Sequence, residues 1–375
     1  MNILIACDSF KDALAAPAVC EAIERGLQRA FGTKGSLTTK AFPLADGGEG
    51  MAAILHHHLG LRSVEVAVHD ALFRPIQATY SISADGNTAF IEMAQAAGLQ
   101  LLKEQERNVL KTSTYGVGEI IADAIQKGAK RIVVGLGGSA TNDLGMGMAT
   151  ALGWRFFDQN GQELIANGEN LLQIAEIIPP SKPLPESIIF ETMSDVANPL
   201  LGETGAAGVY APQKGADAKA VDYLERGAKN FVTHAHKIRV IDDAAKGMGA
   251  AGGLGYGAAF FLGAKNHSGI DMMLNLTGFD AEAAKADVII TGEGKLDSQT
   301  ANGKLIAGIV TRAQQKPVIA LCGALMVDPE ALLEMGLTAA FSIAQGPGSL
   351  VDAIALTAFN LEQTAFNVGR ILSTK

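Results

Sequence analysis

Apolar residues follow two different rhythms along this chain. Near the start, Asn2 to Ala6 is an apolar run, and Val19, Ala22, Ile23 and Leu27 then recur at helical spacing between about Pro17 and Phe31. The pattern predicts a strand, a loop and an amphipathic helix. A second such unit follows, with a strand over Thr38 to Leu44, the loop ADGGEG and an apolar helix from Met51 to Leu59. At about Ser63 the rhythm changes to period two, in VEVAVHDALFRPIQATYSISADGNTAFIEMA, broken at the turn sequence ADGN. This predicts an antiparallel meander. A helix from Gly116 to Lys127 then feeds the strand RIVVGLG, followed by the glycine-rich GGSATND, the strand SIIFETMSD and the stretch GVYAPQKGA. After residue 284 the runs ADVIITGEG, KPVIALCGAL and LTAAFSIAQ read as buried parallel strands between helical segments.

Two β-α units at the start and three strands at the end predict an α/β fold: one five-stranded, doubly wound parallel sheet, interrupted by an inserted second α/β domain. The boundaries fall at 1–63 and 284–375 for the sheet domain and 64–283 for the insertion. A chain of 375 residues also exceeds what one hydrophobic core usually supports. Doubly wound sheets place ligands outside the carboxyl ends of their strands, so the expected site is a cleft there, between the domains.

Composition narrows the function. With 48% hydrophobic and 18% charged residues the chain is far from disorder. A net charge of −9, with 30 scattered basic residues, argues against a nucleic-acid binder. Cys7, Cys20 and Cys322 are odd in number and lack CxxC spacing, which disfavours disulfides and zinc and suits a reducing cytoplasm. No basic leader and no apolar stretch of membrane-spanning length is present, so a cytoplasmic location and no membrane partner are expected. Oligomeric state is not legible in the pattern. The run His56, His57 and His58 reads as a solvated helix face, because consecutive helical residues point about 100° apart.

Several polar segments sit at predicted strand ends. Gly135 to Gly147, GLGGSATNDLGMG, ends a strand and opens a helix, an arrangement whose free N–H groups favour an anion. Its candidates are Gly137, Gly138, Ser139, Thr141, Asn142 and Asp143. PLADGGEG places Asp46 and Glu49 beside Gly47 and Gly48, suiting a magnesium ion or a general base, although a helix cap also accounts for Asp46. TGEGKLDSQT repeats the acid-and-glycine arrangement with Gly292, Glu293, Gly294, Asp297, Gln299 and Thr300, and Lys304 follows. DSFK supplies Asp8, Ser9 and Lys11, and a later polar stretch supplies Asp195, Asn198 and Lys214. A Walker A motif is absent, since Gly303-Lys304 is followed by Leu305. Gly247 to Gly252 matches GxGxxG with Asp271 beyond it, but no strand runs into its first glycine, so close helix packing is the better reading.

In order along nearly the whole chain, DSFK, PLADGGEG, FIEMAQAAGL, TSTYGVGEII, GGSATND, SDVANPL, APQKGA, GAAGGLG and ITGEGKLDSQT resemble the bacterial glycerate kinase family of glyoxylate and sugar-acid catabolism. The resemblance implies a flavodoxin-like domain interrupted by a second α/β domain. It further implies Mg2+ and ATP as donor, D-glycerate as acceptor, and most often 2-phosphoglycerate as product. The alternatives are a 3-phosphoglycerate-forming kinase and, resting on Gly247, an NAD-dependent hydroxy-acid oxidoreductase. Catalysis would then fall to Asp297, Asp195, Lys11 and Asp8, with Asp297 or Asp195 on the hydroxyl, the metal going to Asp46 and Glu49. Substrate would be held by Ser9, Gly47, Gly48, Asn198, Lys214, Gly292, Glu293, Gly294, Gln299, Thr300 and Lys304. Departures from the family pattern are Cys7 for proline, Asp12 for glycine or glutamate, Leu144 for glycine, and Leu305-Ile306 for a Val-Pro pair.

Overall fold

The computed structural model describes residues 1–32, 36–45, 51–297 and 305–374. The chain forms two compact units, Met1–Asp46 with Ile270–Lys375, and Gly47–Gly269. In chain order the first unit contributes β1 (Asn2–Cys7) and β2 (Thr38–Ala41). The second follows with β3 (Arg62–His69), β4 (Pro75–Ile82), β5 (Thr88–Glu92), β6 (Arg131–Gly135), β7 (Arg155–Phe157), β8 (Glu176–Ile178), β9 (Ile189–Met193) and β10 (Lys265–His267). The first unit resumes with β11 (Val288–Leu296), β12 (Val318–Leu325) and β13 (Ala339–Ser342).

In the first unit all five strands are parallel, in the order β13-β12-β11-β1-β2. The chain winds outward from β1 to β2, then outward the other way from β11, so the order reverses between β1 and β11. Both faces are buried along β1 and the first halves of β11 and β12, which is why these runs are apolar without alternation. Ile3, Ile5, Cys7, Val288 and Ile290 pack under helices Ala16–Phe31 and Thr357–Leu372, against Val19, Ile23, Leu27, Leu361 and Val368. Leu4, Ala6 and Ile289 face the other way, onto Ile270, Leu274, Phe279, Leu305 and Ile309. The first two covering helices cross closely: a Cβ on Gly26 would lie 2.3 Å from the Glu362 carbonyl oxygen. The ladder of β2 ends at Ala41, earlier than the sequence pattern suggests. Phe42 and Leu44 nonetheless still donate to Ile5 and Cys7 of β1, at 2.8 and 2.9 Å.

The second unit holds a six-stranded sheet, β10-β9-β6-β5-β4-β3, and the short pair β7-β8. The meander is antiparallel from β3 through β5, but β5, β6, β9 and β10 run parallel. Parallel pairing is thus not confined to the ends of the chain. Helix Met51–Leu59 groups with this unit, where Ala52 N–H donates to Glu92 Oε1 at 3.2 Å and His56 Nε2 lies 2.8 Å from Ser81 Oγ. Aromatic rings of Trp154, Phe156, Phe231, Tyr256, Phe260 and Phe261 pack edge-on, tilted and, for Tyr256 and Phe260, stacked in its core. Among the described residues no helix is long and apolar enough to cross a membrane.

Candidate active site

The glycine-rich segment after β6 is held by hydrogen bonds from several other segments of the second unit. Leu136 N–H donates to the Met193 carbonyl at 3.0 Å, so the segment leaves its strand beside the end of β9. It then pairs with the AAGL segment, through Leu99 N–H to Gly138 O and Ala140 N–H to Ala97 O, each 2.8 Å. Gly137 and Gly138 are exposed, and Gly138 has a φ of 70°. Among the described residues the N–H groups of Gly137, Gly138 and Ser139 have no acceptor. Three successive free N–H groups in such a turn form an anion-binding concavity.

The rest of the segment faces inward. Ser139, Thr141, Asn142 and Asp143 are all buried. The Asp143 carboxylate accepts from Thr114 N–H and Thr114 Oγ1 at 2.8 Å, Gly147 N–H at 3.1 Å and Gly145 N–H at 3.2 Å. Burial pushes its carboxyl above the usual carboxylate range, and these donors pull it back. Thr114 Oγ1 in turn accepts Met148 N–H at 2.8 Å, and Thr112 Oγ1 donates to Ala140 O at 2.9 Å. Asp143 therefore acts as an internal tie. Lys214, wholly buried at 2% exposure, donates from Nζ to Ser139 Oγ and Thr141 O, both at 2.7 Å. Burial pushes its amine down to about 7.

Gly247 to Gly252 supplies the other side of this support. No strand enters it, and Ala251, Gly252 and Gly253 take left-handed φ values of 53°, 66° and 84° at the start of helix Ala250–Leu262. A Cβ on Gly252 would lie 2.0 Å from Thr141 O, and one on Gly257 2.1 Å from Leu144 O. The near-match to a dinucleotide fingerprint is a packing surface for the glycine-rich turn.

In the first unit, residues of DSFK and TGEG meet where the strand order reverses. Cys7 pairs with Gly292 in register, and Asp8 N–H donates to Gly292 O at 3.0 Å. Asp8 Oδ1 accepts Ser9 N–H at 2.6 Å and Ser9 Oγ at 3.2 Å, while Lys11 is exposed just beyond. TGEG is not a loop: β11 continues to Leu296, still paired with β12. Glycine makes this possible, because a Cβ on Gly292 would lie 2.3 Å from Leu321 O and one on Gly323 2.5 Å from Gly294 O. Glu293 lies beside Cys322, whose thiol is raised to about 12 by burial first and this carboxylate second. Asp297 follows the strand, 3.0 Å from Lys295 Nζ. It stands four residue steps beyond Glu293, about 13 Å at roughly 3.3 Å per residue.

Asp195 and Asn198 follow β9 in the second unit. Asp195 is exposed, and its Oδ1 accepts Gly269 N–H at 2.8 Å. Asn198 is spent on the chain itself, donating to Thr204 O at 2.7 Å and accepting from Tyr210 Oη at 2.6 Å. Asp46, Gly47, Gly48, Glu49, Gln299, Thr300 and Lys304 lie outside the described residues. Among the described residues no group of three or more His, Cys, Asp or Glu is placed to hold a metal ion. Sequence reasoning singled out no role for Thr112, Ser113 and Thr114, all fully buried. Three hydroxyl residues ahead of an apolar helix look like an ordinary cap.

A doubly wound sheet in one unit and a glycine-rich turn after a parallel strand in the other define an α/β protein. The family model described as the glycerate kinase family matches residues 3–373, and the chain belongs to that family. It is 40% identical over 373 residues to a glycerate kinase of Bacillus subtilis (strain 168), covering 98% of this chain and 97% of that one. It is 35% identical to the glycerate 2-kinase of Escherichia coli (strain K12), covering 100% and 98%. A crystal structure from Salmonella typhimurium LT2, described as a glycerate kinase 2, superposes with a TM-score of 0.86 at 37% identity, covering 100% of this chain and 98% of that one.

Proposed function

We propose that the protein transfers the γ-phosphoryl group of Mg-ATP to the 2-hydroxyl of D-glycerate, giving 2-phosphoglycerate, in the cytoplasm. Family membership supports the reaction class, and the printed name of the Escherichia coli relative favours the 2-hydroxyl. The observation that carries the donor is the row of free N–H groups at Gly137, Gly138 and Ser139, which suits the oxygens of a phosphate chain. Asn142, Thr141 and Asp143 hold that turn in shape from within. Asp8, Ser9 and Lys11, with Gly292, Glu293 and Gly294, stand where a doubly wound sheet takes its ligand, and suit a small hydroxy acid. Asp195 and Asp297 are the candidates for orienting the acceptor hydroxyl, and Asp46 with Glu49 for magnesium.

Phosphoryl transfer through a loose transition state asks mainly for alignment and charge stabilisation, so one carboxylate on the hydroxyl and others on the metal suffice. Purified protein with Mg-ATP and D-glycerate is expected to release ADP and 2-phosphoglycerate, resolved from the 3-isomer by phosphorus NMR. ADP release that ignores glycerate would sink the reading. Asp8→Asn, Asp195→Asn and Asp297→Asn keep side-chain size and remove charge. The variant lacking the base should lose roughly a hundred- to ten-thousand-fold in kcat with ATP affinity intact.

A further inference from the structure

Lys214 is a buried amine on which desolvation outweighs the attraction of the Asp143 carboxylate. It ends the short 3-10 turn Pro212–Lys214, and among the described residues its Nζ donates to Ser139 Oγ and Thr141 O alone. Among the described residues no carboxylate lies within ion-pair distance of it. Of the charged groups on the elements packed around it, Asp143 attracts the ammonium while its oxygens accept from Thr114, Gly145 and Gly147, and Asp217 caps the next helix through Ala220 N–H at 2.8 Å. Arg107 adds a second cation, its carbonyl pressed against Gly215, where a Cβ would lie 2.2 Å away. Helix Ala206–Tyr210 brings no charged side chain. Beside the amine, Thr141 Oγ1 is buried with no partner among the described residues. A buried ammonium left this way is costly, and its depressed titration near 7 reflects that cost. The two acceptors of Lys214 flank and follow the same turn whose N–H groups at Gly137 to Ser139 are free.

We propose that Lys214 is a positioning residue of the nucleotide turn, bracing Ser139 and Thr141 from behind and gaining a proton from solvent as phosphates settle on the N–H groups of Gly137 to Ser139. The inference rests on reading that turn as the phosphate site. The bound anion adds its negative charge to the attraction of Asp143 for the amine, and the charged amine in turn deepens the positive potential of the turn. No bond is made or broken, and the amine acts through the turn rather than on the ligand.

Calorimetric titration of a non-hydrolysable ATP analogue with magnesium, at pH 8 in two buffers of different ionisation heat, tests this. Wild-type protein is expected to take up close to one proton per analogue bound, and its Kd to rise by up to about tenfold from pH 8 to pH 9. Lys214→Met keeps the length without the charge. It should bind the analogue more weakly and take up no proton. Binding without proton uptake in the wild type, or uptake that survives in Lys214→Met, would overturn the proposal. Should the methionine variant fail to fold, a wild-type Kd that stays flat between pH 8 and 9 overturns it alone. A wild type that does not bind the analogue at all removes the nucleotide reading of the turn, and this proposal with it.

Discussion

Leu144 is a fully buried leucine held at a φ of 52°. A left-handed backbone costs a non-glycine residue about 1–2 kcal/mol, yet burying a leucine side chain returns about 1.5–3 kcal/mol, so the side chain outweighs the strain. The sequence marks this position as glycine in the family pattern, and the left-handed conformation explains that preference. Asp12, the other such departure, also sits left-handed, at 63°. Leu144→Ala is expected to destabilise by about 2–4 kcal/mol through the cavity it leaves. Leu144→Gly should cost no more than Leu144→Ala, reversing the usual order, because glycine relieves the strain. Urea denaturation of the two variants decides it, and a glycine variant weaker by a further kcal/mol would contradict the left-handed geometry. Lys214 makes a second prediction at this scale. Its amine titrates near 7 when folded against an ordinary value of 10.5, so between these values the unfolded chain binds the extra proton. Stability must therefore rise with pH, by up to about 1.4 kcal/mol per unit across that window. Denaturation midpoints measured from pH 7 to 9 should climb in wild type and stay flatter in Lys214→Met.

Among the elements, the helix Ala250–Leu262 shows packing overriding propensity. By helix propensity alone Gly257→Ala should stabilise by about 1 kcal/mol. The added methyl would stand 2.1 Å from Leu144 O, a backbone atom that can yield only if the glycine-rich turn moves. Overpacking typically costs about 1–3 kcal/mol, so the net sign should be destabilising, with ATP affinity falling as well. A variant with raised melting temperature and unchanged ATP affinity would show that the helix does not support the turn. Gly138→Val acts from the outer side. Its φ of 70° and the 3.3 Å approach of a Cβ to Ala94 Cβ both oppose a branched residue. Affinity for ATP should fall at least tenfold while circular dichroism reports an intact fold.

For the whole molecule, the sequence offered two nucleotide motifs and the fold discriminates between them. GxGxxG needs a strand leading into a tight turn, and here it opens a helix packed on the turn after β6. ATP with magnesium should raise the melting temperature, by about 2.7 kcal/mol of added stability at a hundredfold excess over Kd, and NAD should leave it unchanged. Stabilisation by NAD alone would return the oxidoreductase reading to contention. The five parallel strands of the first sheet were legible from rhythm, since apolar runs separated by helical spacing read as a doubly wound sheet. The parallel strands β5, β6, β9 and β10 were harder to see, because a short apolar run does not disclose its partner.

What the sequence by itself determined were properties carried by neighbours in the chain: the two hydrophobic rhythms, the five strands of the doubly wound sheet, and the ordered motifs that marked the family. Tertiary structure alone decided which polar residues of those motifs face outward. Asp143 and Lys214 read as ligand-binding groups in a line of letters, yet one is tied inward to Thr114 and the other is buried against Ser139, 75 residues away in the chain. The extension of β11 through TGEG and the service of Gly252 and Gly257 as a bed for the turn were likewise invisible. Burial depends on segments far apart in sequence coming together, and a charged or glycine residue carries no local sign of which segment will cover it.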